Sequence, residues 1–109
     1  MECVFCKIAR GEIPARVVYE DDRVISFHDI NPKAPIHVLL IPKMHVENLK
    51  EEIPPDVASA LIKGIRETVK ALGVRDYRIV SNNGKGAGQE VFHLHFHIIA
   101  GVSITPQTV

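Results

Sequence analysis

The 109-residue chain carries 13 basic and 13 acidic residues, so its formal charge is zero with neutral histidines. Its 46% apolar and 24% charged composition is that of one folded domain, residues 1–109, not of a disordered tail. A phosphate-gripping nucleic-acid surface is disfavoured by the lack of basic excess. A membrane span is disfavoured because the best apolar run, Val38-Leu39-Leu40-Ile41, is far short of the ~20 residues required.

The opening residues show no signal-peptide pattern, so the expected compartment is the cytoplasm, where Cys3 and Cys6 stay reduced. Val4–Arg10 reads as a short helix ended by Gly11 and Pro14. Val17-Val18-Tyr19 and Val24–Phe27 read as strands joined by the polar turn Glu20-Asp21-Asp22. Two prolines make Asn31–Pro35 a loop, and His37–Ile41 is apolar enough for a buried strand closed by Pro42.

The strongest element is a helix over Asp56–Leu72, begun by Pro54-Pro55-Asp56 and stopped by Gly73. Ala58, Leu61, Ile62, Ile65, Val69 and Leu72 recur at three and four and form its expected buried stripe. Lys63, Arg66, Glu67 and Lys70 form the solvated face. Tyr77–Ser81 and Val91–Ile99 complete five strands around a glycine-rich loop, Asn82–Gln89. The order predicts an α+β fold: a five-stranded, mostly antiparallel sheet with one long helix and a short N-terminal helix. A βαβ unit across the long helix is the alternative.

Three of the six histidines fall within five residues, in His93-Leu94-His95-Phe96-His97. Alternation along a strand puts these three on one face, with Phe92, Leu94, Phe96 and Ile98 in the core behind. Such a row is a metal-ligand set, as in three-histidine hydrolases, or a nucleophile with neighbours that orient it. Spacing alone leaves both open. The loop Gly84-Lys85-Gly86-Ala87-Gly88-Gln89 opens no helix and lacks the Lys-Ser/Thr ending of a P-loop. It can still offer backbone N–H groups to an anion. Cys3-x-x-Cys6 reads as a redox pair, as idle thiols or as half of a metal site.

The segment His93-Leu94-His95-Phe96-His97-Ile98-Ile99 resembles the signature of the histidine triad (HIT) nucleotide-binding superfamily. The likeness continues through Phe27-His28-Asp29-Ile30, Ala34-Pro35-Ile36-His37, Ile41-Pro42-Lys43, His45, Asn82 and Gly88-Gln89, in the manner of the small nucleoside phosphoramidase branch. The resemblance implies a HIT-like fold, a homodimer, and a purine nucleoside monophosphate or its phosphoramidate as ligand, with no nucleic acid or membrane. It implies cleavage of a P–N bond through a nucleotidyl intermediate on His95, with His97 at the phosphate and His37 behind the nucleophile. Asp29 would hold the ribose. Phe5, Ile8, Phe27 and Ile30 would wall the base, and Asn82, Gly88, Gln89 and Val91 would surround the phosphate. Cys3, Cys6, His45 and His93 resemble a structural zinc quartet of microbial relatives, one ion per chain, with no cofactor required for catalysis. Glu90 stands where animal members have serine, which implies a preference for cationic amine leaving groups. Thr105–Val109 lacks their Trp-containing tail. A dinucleoside polyphosphate hydrolase, a nucleotide-binding adaptor with incidental turnover and a zinc hydrolase are the other readings.

Overall fold

A computed structural model describes residues 3–101, so the C-terminal residues 105–109 lie outside it. Helix α1 (Val4–Ala9) leads into strands β1 (Val17–Glu20), β2 (Val24–His28) and β3 (Ile36–Pro42). Helix α2 (Pro55–Leu72) follows, then β4 (Arg78–Val80), a single 3-10 turn at Lys85–Ala87, and β5 (Phe96–Ala100). The five strands form one sheet in the order β1-β2-β3-β5-β4, every pair antiparallel. The α+β expectation therefore holds. The βαβ alternative holds only in split form: β3 and β4, joined by α2, each run antiparallel to β5 and so parallel to one another, with β5 between them. Among the described residues no helix is long and apolar enough to cross a membrane.

The sheet buries both faces, and strand alternation sorts them. Val24, Val38, Leu40, Leu94 and Ile98 pack with Val57 and Leu61 of α2. Ile25, Phe27, Leu39 and Ile41 pack with Phe5 of α1 on the opposite side. His97 lies opposite Leu39, and Leu39 opposite Phe27, so His97 stands on the α1 face.

Three sequence expectations are corrected. First, the expected α2 stripe holds only in part: Leu61 is in the core with Ile65, Val69 and Leu72 packed against it, while Ala58 and Ile62 fall outside. The buried positions of α2 are Val57, Leu61, Gly64 and Thr68, whereas Ile62 is 60% exposed and Ala58 is exposed. The helix docks by its smallest side chains: a Cβ on Gly64 would lie 3.0 Å from Val24 Cγ2 and 3.1 Å from Leu40 Cδ1. Beside it, the buried Thr68 and Ser26 hydroxyls share a 2.7 Å hydrogen bond. Close approach on this face leaves Ile62 outside.

Second, β5 begins at Phe96 and not at Val91, so His93 and His95 precede the strand. Pro42 ends β3 with no N–H for a ladder. Its carbonyl bonds the His93 ring, and Leu94 N donates instead to Val46 O at 2.7 Å. Third, Phe92 is 43% exposed and lies outside the core. The sheet's alternation nonetheless continues into the segment, with Leu94 on the α2 side and His93 and His95 against Phe5.

Gly64→Leu should destabilise the fold by about 1–3 kcal/mol despite leucine's better helix propensity, because Val24 and Leu40 are fully buried and have little room to yield. A lowered thermal midpoint checks this, and an unchanged one would contradict the close-docking account.

Candidate active site and adjoining metal cluster

The α1 face gathers five of the six histidines into two adjoining groups. His37 comes from β3 and His97 from β5, and Asp29 follows β2 with its N–H on the His37 carbonyl at 2.9 Å. His93 and His95 come from the stretch before β5, and His45 from the loop after β3.

Backbone groups fix the histidine tautomers, since a backbone N–H only donates and a carbonyl only accepts. Lys33 N donates to His37 Nδ1 at 3.0 Å, so neutral His37 carries its proton on Nε2. That atom lies 2.9 Å from His97 Nδ1 and 3.5 Å from Asp29 Oδ2. Neutral His97 therefore accepts at Nδ1 and keeps its own N–H on Nε2. His95 Nδ1 lies 2.8 Å from the His93 carbonyl and must donate to it. In neutral His95 the lone pair is then on Nε2. The His95 and His97 rings meet at 5.0 Å between centroids, inclined by 67°. A lone-pair nitrogen and an N–H donor thus belong to neighbouring rings.

Burial dominates the electrostatics. It pushes the His97 pKa down to about 4, aided by His95 and His37 and partly opposed by Asp29. It lowers His37 too, against the attraction of Asp29, while Lys33 adds to the depression. Both rings are therefore neutral near pH 7.

Cys3, Cys6, His45 and His93 form the second group, their ligand atoms all within 4.8 Å of one another. His93 Nε2 donates to Pro42 O at 2.7 Å, which leaves Nδ1 as the lone-pair atom. Nδ1 stands 3.4 Å from Cys3 Sγ, 3.5 Å from Cys6 Sγ and 3.2 Å from His45 Nδ1, and Cys6 Sγ is 3.2 Å from His45 Nδ1. A tetrahedral ion with metal–nitrogen bonds near ~2.0 Å and metal–sulfur bonds near ~2.3 Å has ligand–ligand edges of about 3.3–3.8 Å. The donor set fits such an ion. The row of three histidines does not act as one ligand set. His93 joins the cysteines, His97 joins His37 and Asp29, and His95 Nδ1 is held by a carbonyl.

The expected base wall is partly assembled. Phe5 and Phe27 are buried edge to face, with Ile8 and Val91 half-buried around them. Ile30 is 92% exposed and stands apart from that cluster. In the glycine loop, Gly84 and Gly88 adopt left-handed φ values of 97° and 94°, which only glycine accepts at little cost. Asn82 is half-buried and Gly88 exposed. Gln89 is buried with its amide fully used: Oε1 accepts from Gly84 N and Asn48 Nδ2, and Nε2 donates to Glu47 O and Val91 O. Its side chain pins the loop. Sequence reasoning missed Asn48 and Asn83, whose Oδ1 accepts from Leu49 N. Both asparagines sit in polar loops with no pattern to distinguish them from surface residues.

The HIT domain family model matches residues 10–104. An uncharacterized HIT-like protein of Methanocaldococcus jannaschii is 55% identical over 89% of this chain and 77% of its own length. The adenylylsulfatase HINT3 of Arabidopsis thaliana is 45% identical over 90% of this chain, which spans 51% of that protein. A solved HIT family hydrolase from Clostridium thermocellum superposes with a TM-score of 0.90 at 44% identity, over 99% of this chain and 97% of that one.

In an NMR titration the His97 imidazole should protonate with a midpoint about 4, well below the ordinary 6.5. The unfolded chain takes up that proton first, so stability from this residue is complete above 6.5 and is lost as pH falls towards 4. A His97 midpoint near 6.5 would contradict its desolvation.

Proposed function

The chain belongs to the HIT domain family, and on that premise we propose that it is a nucleotidyl hydrolase that cleaves purine nucleoside 5'-phosphoramidates at the P–N bond. The observation that carries the reading is the His95 Nδ1 bond to the His93 carbonyl, which makes Nε2 the nucleophilic atom. His95 Nε2 forms a bond to the α-phosphorus as the P–N bond breaks. The departing nitrogen takes a proton from solvent. Neutral His97 donates its Nε2–H to a phosphoryl oxygen and offsets the charge that develops there. Its depressed pKa suits a fixed donor. Water then adds to phosphorus, yields a proton to solvent and releases the nucleoside monophosphate from Nε2.

In this reading His37 holds His97 from behind and Asp29 receives the ribose hydroxyls. Phe5, Ile8 and Phe27 face the base, and Asn82, Gly88 and the backbone of Gln89 and Val91 border the phosphate. Cys3, Cys6, His45 and His93 hold one zinc ion, which ties the N-terminal segment to the sheet and takes no part in bond making. The protein acts as a homodimer. Support for that comes from β4, which is an edge strand of the sheet among the described residues and has Ile79 and Tyr77 exposed on and beside it.

Glu90 is exposed in a groove of about 610 Å³ lined also by Lys85, Gly88, Gln89 and Phe92. We assign it to the leaving group, where its charge favours a departing amine that is cationic. A second reading, hydrolysis of adenylyl sulfate, is favoured by the likeness to the plant adenylylsulfatase.

A rapid-quench experiment with labelled adenosine phosphoramidate, adenylyl sulfate and a dinucleoside polyphosphate should trap a nucleotidyl adduct on His95. His95→Ala should lower kcat/KM by about a thousandfold or more. Turnover that survives this substitution refutes the proposal, and the preferred substrate in the panel separates the readings. Glu90→Ser should shift the kcat/KM ratio severalfold towards acidic leaving groups over lysine-like ones; an unchanged ratio removes Glu90 from the leaving-group site. Protein purified without chelator should carry about one zinc per chain, and the double substitution Cys3→Ser/Cys6→Ser should carry almost none.

A further inference from the structure

Phe5 lies between the two cysteines in sequence, and its ring packs on both groups of the site. Cys3 immediately precedes α1 and Cys6 is its third residue. The Phe5 ring, 7% exposed, meets His95 edge-on with centroids 5.2 Å apart and planes at 83°. The same ring meets His93 at 6.0 Å and 75°, and Phe27 at 5.7 Å and 69°. A helix of six residues with no side-chain cap cannot hold its own shape in water. Two things fasten α1: the apolar packing of Phe5 on Ile25, Phe27, Leu39 and Ile41, and Cys3 and Cys6, which flank Phe5 and tie it to His45 and His93 on the far side of the cluster.

A second link runs to the same imidazole. His93 contributes Nδ1 to the cluster and its own carbonyl to His95 Nδ1. Its ring is in turn fixed by Pro42 O. The edge contact and the hydrogen bond on His95 thus both originate in residues that the cluster immobilises.

We propose that the Cys3/Cys6/His45/His93 cluster is a positioning device for the nucleophile, with Phe5 as the positioning residue that presses the His95 ring into line. The inference rests on His95 being the nucleophile. It goes further by making the covalent step, and not only the stability of the fold, depend on cluster occupancy. Supporting groups outside a metal's ligand set, when lost, commonly cost about 10–100-fold in affinity or activity.

The test uses the full chain, zinc-loaded and chelator-depleted, beside Phe5→Leu, which keeps every cluster ligand and an apolar wall. Three quantities are read: the single-turnover rate constant for adduct formation at saturating substrate, the affinity for adenosine monophosphate, and the melting temperature. Depletion and Phe5→Leu should each lower the rate constant by about tenfold or more. In the depleted protein affinity should change far less than the rate constant, and added zinc should restore it; in Phe5→Leu, which also thins the base wall, the rate constant at saturating substrate is the deciding reading. A wild-type rate constant in both, with only melting lowered, overturns the proposal and leaves a purely structural clip. Loss of affinity without loss of rate also overturns it, since Phe5 would then serve the base alone. If the depleted protein does not stay folded, Phe5→Leu carries the test by itself. Absence of any His95 adduct in the zinc-loaded wild type is a different failure, that of the functional reading itself.

Discussion

A backbone carbonyl has no proton to give, so an imidazole nitrogen 2.8 Å from one must be the donor. At His93 that rule decides the chemistry of the next histidine, whose Nδ1 is committed and whose Nε2 is left with its lone pair. The same logic runs through the neighbouring rings. Lys33 N sets His37, His37 sets His97, and Pro42 O sets His93. Four histidines thus acquire distinct roles from backbone groups and from one another, with Asp29 near His37 Nε2 as their charged neighbour. Low dielectric around them makes each bond stronger and each wrong tautomer costlier.

The two faces of the sheet divide the labour. Contacts between α2 and the sheet are tight and mostly apolar, organised around Gly64 and the hydrogen-bonded Thr68–Ser26 pair. Phe5, Phe27 and Leu39 on the other face provide an apolar floor, and the polar groups stand above it. Because β3 is central and buried along most of its length, His37 is anchored in the interior of the sheet. His45, after the strand's end, is exposed and has Cys6 and His93 as its neighbours.

Much of this was legible in the sequence, and the rest was hidden for identifiable reasons. All five strands and both helices announced themselves, because alternation and the Pro54–Gly73 punctuation are local signals. The exposure of Ile62 was not visible: it counts as core by hydropathy, but docking distance is set by Gly64, which carries no hydropathic weight. The start of β5 was misplaced because hydrophobic alternation from His93 to Ile98 continues beyond the hydrogen-bonded ladder, and a Pro42 carbonyl taken by a side chain leaves no trace in composition. The histidines stood out by number, and the pairing of His93 with the cysteines required the superfamily likeness. Asn48 and Gln89 meet only in three dimensions, 41 residues apart.

Gln89 shows how such a buried amide restricts sequence change. Its Nε2 faces two carbonyls and its Oε1 faces two N–H groups, so the polarity of the amide is matched end to end. Glutamate has the same shape but would set an oxygen against the Glu47 and Val91 carbonyls, with a buried charge as well. Leucine would fill the volume and orphan all four partners. The position is therefore closed to both the isosteric and the apolar neighbour of glutamine. The exposed residues of the glycine loop meet no such restriction, because their side chains face solvent and not the buried amide beneath them.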